Sequence, residues 1–246
     1  MRPFYQRNNI TIYNASWQDV LASLPVIHSV ITDSPYGIEV TKMTLGNGAK
    51  KIHRGNSQWD NTPPTKDELD TLCNLSQVQI FWGGNYMANN LPPARGWLVW
   101  DKQTGENDYA DCELAWTNLD IVVKKYTKSW VGANAKDTPV RLHPTQKPVD
   151  LMRWCITLAN PQGIIFDPYA GSGSTLRAAF DMGLSAIGCD VEKHYCEKAV
   201  ERLAQNTLFT LPNNRLQRTA IAASQQSSLF ANGVLPSKAR GATRRR

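Results

Sequence analysis

The stretch Ile164-Ile165-Phe166-Asp167-Pro168-Tyr169-Ala170-Gly171-Ser172-Gly173-Ser174-Thr175 decides the fold. Residues 164–166, Ile-Ile-Phe, form a short apolar run, which predicts a strand. Residues 167–174 form a glycine-rich turn. Residues 175–182 follow as a helix, with Gly183 just past its end, where a left-handed cap is needed. Residues 185–189 predict a second strand closed by Asp190, and residues 192–205 a second helix. A strand-helix-strand-helix run requires crossover connections. The expectation is therefore a doubly wound α/β fold of Rossmann-like type around a mostly parallel sheet.

The glycine-rich turn is a place for a ligand. Gly171 and Gly173 let the backbone pass close to a bound molecule, and the helix behind them presents free N–H groups. Taken alone, the same turn also serves as a plain connection between strand and helix. Two phosphate-binding patterns are excluded. No Lys follows the glycines as in G-x-x-x-x-G-K-[ST], and Leu176 stands where the third glycine of G-x-G-x-x-G belongs. Asp167 before the glycines disfavours a pyrophosphate and favours a cation, such as the ammonium of an amino-acid moiety. Asp190 ends the next strand, where doubly wound folds bind ribose hydroxyls. A cationic amino acid joined to a ribose describes S-adenosylmethionine.

Upstream, Ser29–Thr32 predicts another buried strand, and it runs into Asp33-Ser34-Pro35-Tyr36. In a parallel sheet, ligands bind beyond the carboxyl ends of the strands, so both turns open on one side. Asp33 and the Ser34 carbonyl are two acceptors for one exocyclic amino group, Pro35 stiffens the turn, and Tyr36 offers a stacking face. Two acceptors on one NH₂ draw its lone pair out of conjugation, leaving the nitrogen able to attack a methyl sulfonium in line. Asp-Ser-Pro is also an ordinary turn, so the weight rests on its position after a strand.

Between these landmarks, residues 41–64 and 124–141 are expected as two long polar loops. A helix is expected over 67–75, and strands over 78–82 and 97–100, with one more within 115–125. His143-Pro144-Thr145-Gln146-Lys147-Pro148 is expected to open a helix with Pro148 at its first position, stopped by Asn160-Pro161.

Composition bounds the rest. Apolar residues make up 41% and charged residues 20%, which suits a folded chain. No apolar run is long enough to cross a membrane, and the N-terminus lacks a signal-peptide core. Cys73, Cys112, Cys155, Cys189 and Cys196 form no C-x-x-C pair, so no zinc site is expected and the thiols suit a reducing, cytoplasmic setting. The net charge of +6 is uneven: residues 212–246 hold seven Lys/Arg and no Asp/Glu. That basic tail suits a polyanion, although solvated charge runs are common. The expected division is a domain over 1–211 and a tail over 212–246.

The two motifs together resemble the β-group amino-methylating DNA methyltransferases, which modify adenine N6 or cytosine N4. Their catalytic [DNS]-P-P-[YFW] is similar to Asp33-Ser34-Pro35-Tyr36, and their D-P-F-x-G-S-G-T is similar to Asp167–Ser174. Trp82-Gly83-Gly84-Asn85-Tyr86 and Trp97-Leu98-Val99-Trp100-Asp101-Lys102 resemble phage and bacterial orphan members. Ser34 departs from the first Pro, and Ala15-Ser16 departs from a frequent Gly-Asp.

The resemblance implies a catalytic set of Asp33, Ser34, Pro35 and Tyr36. It implies S-adenosylmethionine held by Asp167, Pro168, Tyr169, Gly171, Ser172, Gly173, Ser174 and Asp190, with Lys147 near the methionine part. It further implies double-stranded DNA with a flipped target base, and phosphate contacts from basic residues within 41–64 and 124–141. Asp at the first motif position is more usual for adenine, so adenine N6 is the expected target. Cytosine N4, an RNA or protein amide, and an inactive DNA-binding module are the alternatives. Gln226-Ser227-Ser228-Leu229-Phe230 in the tail resembles peptides that dock on the replication sliding clamp, a pattern that chance also produces in a Gln/Ser-rich segment. Pairing as a homodimer is left open.

Overall fold

A computed structural model of the chain describes residues 1–37, 62–103, 110–129 and 146–205. The loop expected at 41–61, most of that at 130–141, His143–Thr145, the boundary at 211 and the tail peptide lie outside the described residues.

Among the described residues, nine strands form one sheet: β1 (Tyr5–Arg7), β2 (Ile10–Asn14), β3 (Ile27–Asp33), β4 (Val78–Trp82), β5 (Trp97–Asp101), β6 (Cys112–Thr117), β7 (Lys124–Thr127), β8 (Ile164–Asp167) and β9 (Ala186–Asp190). Their order across the sheet is β1-β2-β9-β8-β3-β4-β6-β5-β7. The centre is parallel, from β2 through β9, β8 and β3 to β4. β6 runs antiparallel between β4 and β5, and β1 is an antiparallel edge. The expectation of a mostly parallel doubly wound sheet is met.

The middle strand β3 is Ile-His-Ser-Val-Ile-Thr-Asp, nearly all buried, because helices cover both sheet faces. One face packs on α3 (Val149–Ala159), α4 (Ser174–Asp181) and α5 (Lys193–Ala204), through residues such as Leu151, Ile156, Leu176 and Leu203. The other packs on the short α1 (Trp17–Val20) and on α2 (Lys66–Leu75), through Trp17, Leu69, Leu72 and Phe81. Local chemistry sets the helix ends. Thr65 and Glu68 form a reciprocal capping box at the start of α2, and Asn160 closes α3 in the left-handed region at φ 42°. No helix among the described residues is long and apolar enough to cross a membrane.

Three expectations need correction. Lys124–Thr127 is strand β7, paired parallel to β5, rather than the start of a loop; its alternating Lys and Tyr suit an exposed sheet edge, with Tyr126 packed on Trp154. The single strand expected within 115–125 is β6, which begins earlier at Cys112 and ends at Thr117. Pro148 is the residue before α3, extended at ψ 137°, and not its first helical residue.

The sheet has a switch point. From β8 the chain winds one way to β9, and from β3 it winds the other way to β4, so a crevice opens beyond the carboxyl ends of β3 and β8. Gly173 shapes its floor at φ 77°, and a Cβ there would lie 2.8 Å from the Ala199 Cβ. Gly183 has a similar φ of 70° with no atom within 4 Å of such a Cβ. Gly173→Ala is therefore expected to cost about 2–4 kcal/mol in urea unfolding, and Gly183→Ala only about 1–2 kcal/mol of backbone strain. Equal losses would show that the contact with α5 does not matter.

Candidate active site

A cavity of about 170 Å³ lies in that crevice. Asp33 and Pro35 wall it from the turn after β3, Tyr169, Gly171, Ser172 and Ser174 from the glycine-rich turn, Asp190 from the end of β9, and Lys147 from the segment before α3. Residues 134 positions apart in the chain, Asp33 and Asp167, end adjacent strands; Thr32 Oγ1 donates to Asp167 Oδ1 across that junction at 2.6 Å.

The two acids of the glycine-rich side do different things. Asp167 is 2% exposed and is not part of the cavity wall; it takes the Thr32 hydroxyl and the Tyr169 N–H, at 2.6 and 3.2 Å, and so fastens the turn to β3. Pro168 and Gly173 are likewise buried behind the wall. In the structure Asp167 braces the glycine-rich turn against β3. Asp190 faces the cavity. Its Oδ2 accepts from Gly171 N at 2.9 Å and its Oδ1 from Glu192 N at 2.8 Å. Each oxygen keeps lone-pair capacity for a hydroxyl. Burial pushes both carboxyls up to about 6.

At the other end of the cavity sits a charge cluster. Lys147 Nζ donates to Asp33 Oδ1 at 2.6 Å, to Glu113 Oε2 at 2.9 Å and to the Tyr36 hydroxyl at 2.8 Å. An ammonium has three N–H donors, so all are used. Lys147 lines the cavity, and its ammonium is shared among Asp33, Glu113 and Tyr36. The Lys147 carbonyl accepts from Ser174 Oγ at 2.8 Å, tying the cluster to the glycine-rich turn. The Tyr36 hydroxyl donates to Asp33 Oδ1 at 2.7 Å, with Glu113 Oε2 at 3.2 Å as a second acceptor. Lys102 closes the cluster on Glu113 Oε1 at 2.5 Å.

The electrostatics follow from the packing. Burial raises Asp33 above the usual carboxylate value; Lys147 opposes the rise and Glu113 adds to it. Burial also works against the charge of Glu113, but Lys147 and Lys102 outweigh it and hold Glu113 down at about 2. Burial opposes the Lys147 charge, yet the two carboxylates keep it above the usual lysine range.

The turn itself is pinned. Ser34 donates its hydroxyl to the Trp82 carbonyl at 3.3 Å, fastening the turn to β4. The Tyr36 ring lies on Gly83, where a Cβ would sit 2.1 Å from Tyr36 Cε1. Its ring stacks on Tyr86 at 4.9 Å between centroids and 19° between planes, and Tyr86 is 48% exposed. Glu113, Lys102 and Tyr86 are the residues that sequence reasoning did not pick out. The Glu within Cys112-Glu-Leu-Ala-Trp-Thr117 was a signal, because a carboxylate in a largely buried strand needs partners.

The comparisons with known proteins agree with this geometry. Residues 99–201 match the family described as DNA methylase, of the N6/N4 methyltransferases. The Type II methyltransferase M2.DpnII of Streptococcus pneumoniae is 30% identical over 174 residues, covering 70% of this chain and 59% of that protein. The chain spans about three-fifths of the length of the curated relatives it matches. Among solved structures, the complex of M1.HpyAVI with SAM has a TM-score of 0.51 at 21% identity, covering 80% of this chain and 100% of that one. The PvuII DNA methyltransferase (cytosine-N4-specific) has a TM-score of 0.54 at 15% identity, covering 91% and 94%. These likenesses show the fold alone, a Rossmann-like α/β sheet with flanking helices.

The Thr32–Asp167 brace is testable. A carboxyl whose folded pKa is raised contributes stability that is present below its unfolded pKa and lost as pH rises through the folded value, here about 6. Thr32→Val deletes a donor to the charged form and raises Asp167 further. It is expected to cost about 1–3 kcal/mol at neutral pH, with the deficit shrinking as pH falls below that value. A deficit independent of pH in urea unfolding would show that the loss is one of packing alone.

Proposed function

We propose that this chain transfers a methyl group from S-adenosylmethionine to the N6 amino group of adenine in double-stranded DNA. The observation that carries the reading is that the Asp33 turn and the glycine-rich turn with Asp190 open on one cavity at the switch point of the sheet. The family match and the names of the relatives support the class of reaction, and Asp at the head of the catalytic motif favours adenine over cytosine N4.

The residues present fit the cofactor. Asp190 has acceptor capacity for ribose hydroxyls while two backbone N–H groups hold it in place. Tyr169, Gly171, Ser172 and Ser174 line the rest of the wall, with Asp167, Pro168 and Gly173 shaping the turn from behind. When bound, the cofactor supplies an electrophilic methyl on a sulfonium.

The base, flipped from the duplex, presents its amino group to Asp33 and the Ser34 carbonyl. Among the described residues, both hydrogen bonds to the Asp33 carboxylate fall on Oδ1, which leaves Oδ2 to accept an N–H. With the cofactor bound, its sulfonium would supply the methyl and leave as a neutral thioether; Asp33 and the Ser34 carbonyl would orient the amine nitrogen toward that methyl, and Asp33 would pass the amine proton to water. Stabilising the charge that develops on nitrogen is the main task of the site. The Tyr36–Tyr86 pair beside Asp33 supplies aromatic surface for a base.

The test is mass spectrometry of nucleosides from DNA of a methylation-deficient bacterial strain expressing the chain, beside Asp33→Ala. N6-methyladenine is expected with the wild type and absent with Asp33→Ala, while purified Asp33→Ala still binds S-adenosylmethionine. N4-methylcytosine would move the target to cytosine. Neither product, with cofactor binding intact, would overturn DNA methylation as the activity.

A further inference from the structure

Glu113 is the carboxylate of the cluster that the catalytic motif does not contain. It comes from β6, on the far side of β4 from Asp33, and its side chain is 20% exposed. Both of its oxygens are occupied, Oε1 by Lys102 at 2.5 Å and Oε2 by Lys147 at 2.9 Å, with the Tyr36 hydroxyl at 3.2 Å. A carboxylate held by two ammonium groups in this way is costly to bury, and on the same strand Ala115 and Trp116 pack into the core through apolar side chains.

The arrangement has a consequence for Asp33. Lys147 is 3% exposed and 2.6 Å from Asp33. With Asp33 as its only carboxylate, Lys147 would form a closed buried pair and cancel the charge that an amine must meet. Glu113 shares the ammonium, so Asp33, Lys147 and Glu113 together carry one negative charge. Lys102 balances that charge from the outer side of Glu113, on the strand β5 side of the cluster.

We propose that Glu113 is a positioning residue for methyl transfer: by dividing the Lys147 ammonium between two carboxylates, it keeps Asp33 Oδ2 an effective acceptor for the target amine. The proposal rests on the methyltransferase reading of Asp33. Glu113 does not touch the substrate; it acts through Lys147 and Tyr36. Charged and titratable groups around Asp33 come from every side: Tyr36 from its own turn, Glu113 from β6 with Lys102 behind it, Lys147 from before α3, and Asp167 from the end of β8.

The test uses the full chain and reads Asp33 directly. The Asp33 carboxyl is followed by ¹³C NMR through a pH titration, assigned against Asp33→Asn, in the wild type, Glu113→Gln and Lys102→Met. Glu113→Gln removes a negative neighbour and leaves Lys147 to Asp33 alone, so the Asp33 midpoint is expected to fall by about one unit. Lys102→Met removes a positive neighbour, so the midpoint is expected to rise. Shifts of opposite sign are not a product of general loosening.

In steady-state methylation, Glu113→Gln is expected to lower kcat by about tenfold or more and to move the acid limb of the pH profile downward. Its affinity for S-adenosylmethionine is expected to stay within about twofold of the wild type. An Asp33 midpoint that does not move in Glu113→Gln overturns the proposal, whatever the activity. A wild type that methylates no DNA while the midpoints shift as stated overturns the proposed function and leaves the placement of Glu113 standing.

Discussion

The parallel pairing of β3 with β8, Ser29 beside Ile165 and Val30 beside Phe166, ends both strands at the same edge of the sheet. Every polar element of the site hangs from that edge. A parallel pair cannot be joined by a short turn, so residues far apart in the chain are brought together only by crossovers. The 2.6 Å bond from Thr32 to Asp167 then locks the two strand ends to each other. With that junction in place, the Asp33 turn and the glycine-rich turn share a crevice; a shift of either strand by one residue would turn Thr32 or Asp167 to the opposite face.

Two acids near the cavity carry raised pKa values for the same reason, burial, yet serve different ends. Asp167 is sealed behind the wall and holds structure, whereas Asp190 faces the space and is oriented by the Gly171 and Glu192 amides. Asp33 differs from both, because it meets an ammonium that is itself shared. The Lys102–Glu113–Lys147–Asp33 row alternates in sign, and alternation is what lets four charges lie together at low exposure. Breaking one partner would leave an uncompensated charge in a poorly solvated place.

Much was legible along the chain because it is local. The run from Ile164 to Ala204 announced strand, glycine turn, helix, strand and helix, since each boundary has its own residue signal: Gly173 at φ 77°, Gly183 at φ 70°, Asp190 after an apolar strand. The Asp33 turn was legible for the same reason. Strands at the sheet margins were less so. β7 is four residues with two lysines, and no local pattern separates such an edge strand from a polar loop; its pairing with β5 decides it.

The sequence by itself determined the α/β class, the two turns and the identity of their acids, because turn chemistry and hydrophobic period are written within a few residues. Only the tertiary structure decided what those acids meet. Asp167 braces its turn, because Thr32 reaches it across a strand pairing. Lys147 lines the cavity with its ammonium shared among Asp33, Tyr36 and Glu113. Glu113 could not be placed at all from one dimension: 80 positions separate it from Asp33, and the contact exists because β6 inserts antiparallel beside β4. Side-chain pairing over such separations depends on strand order and register, and neither is carried by local residue preference.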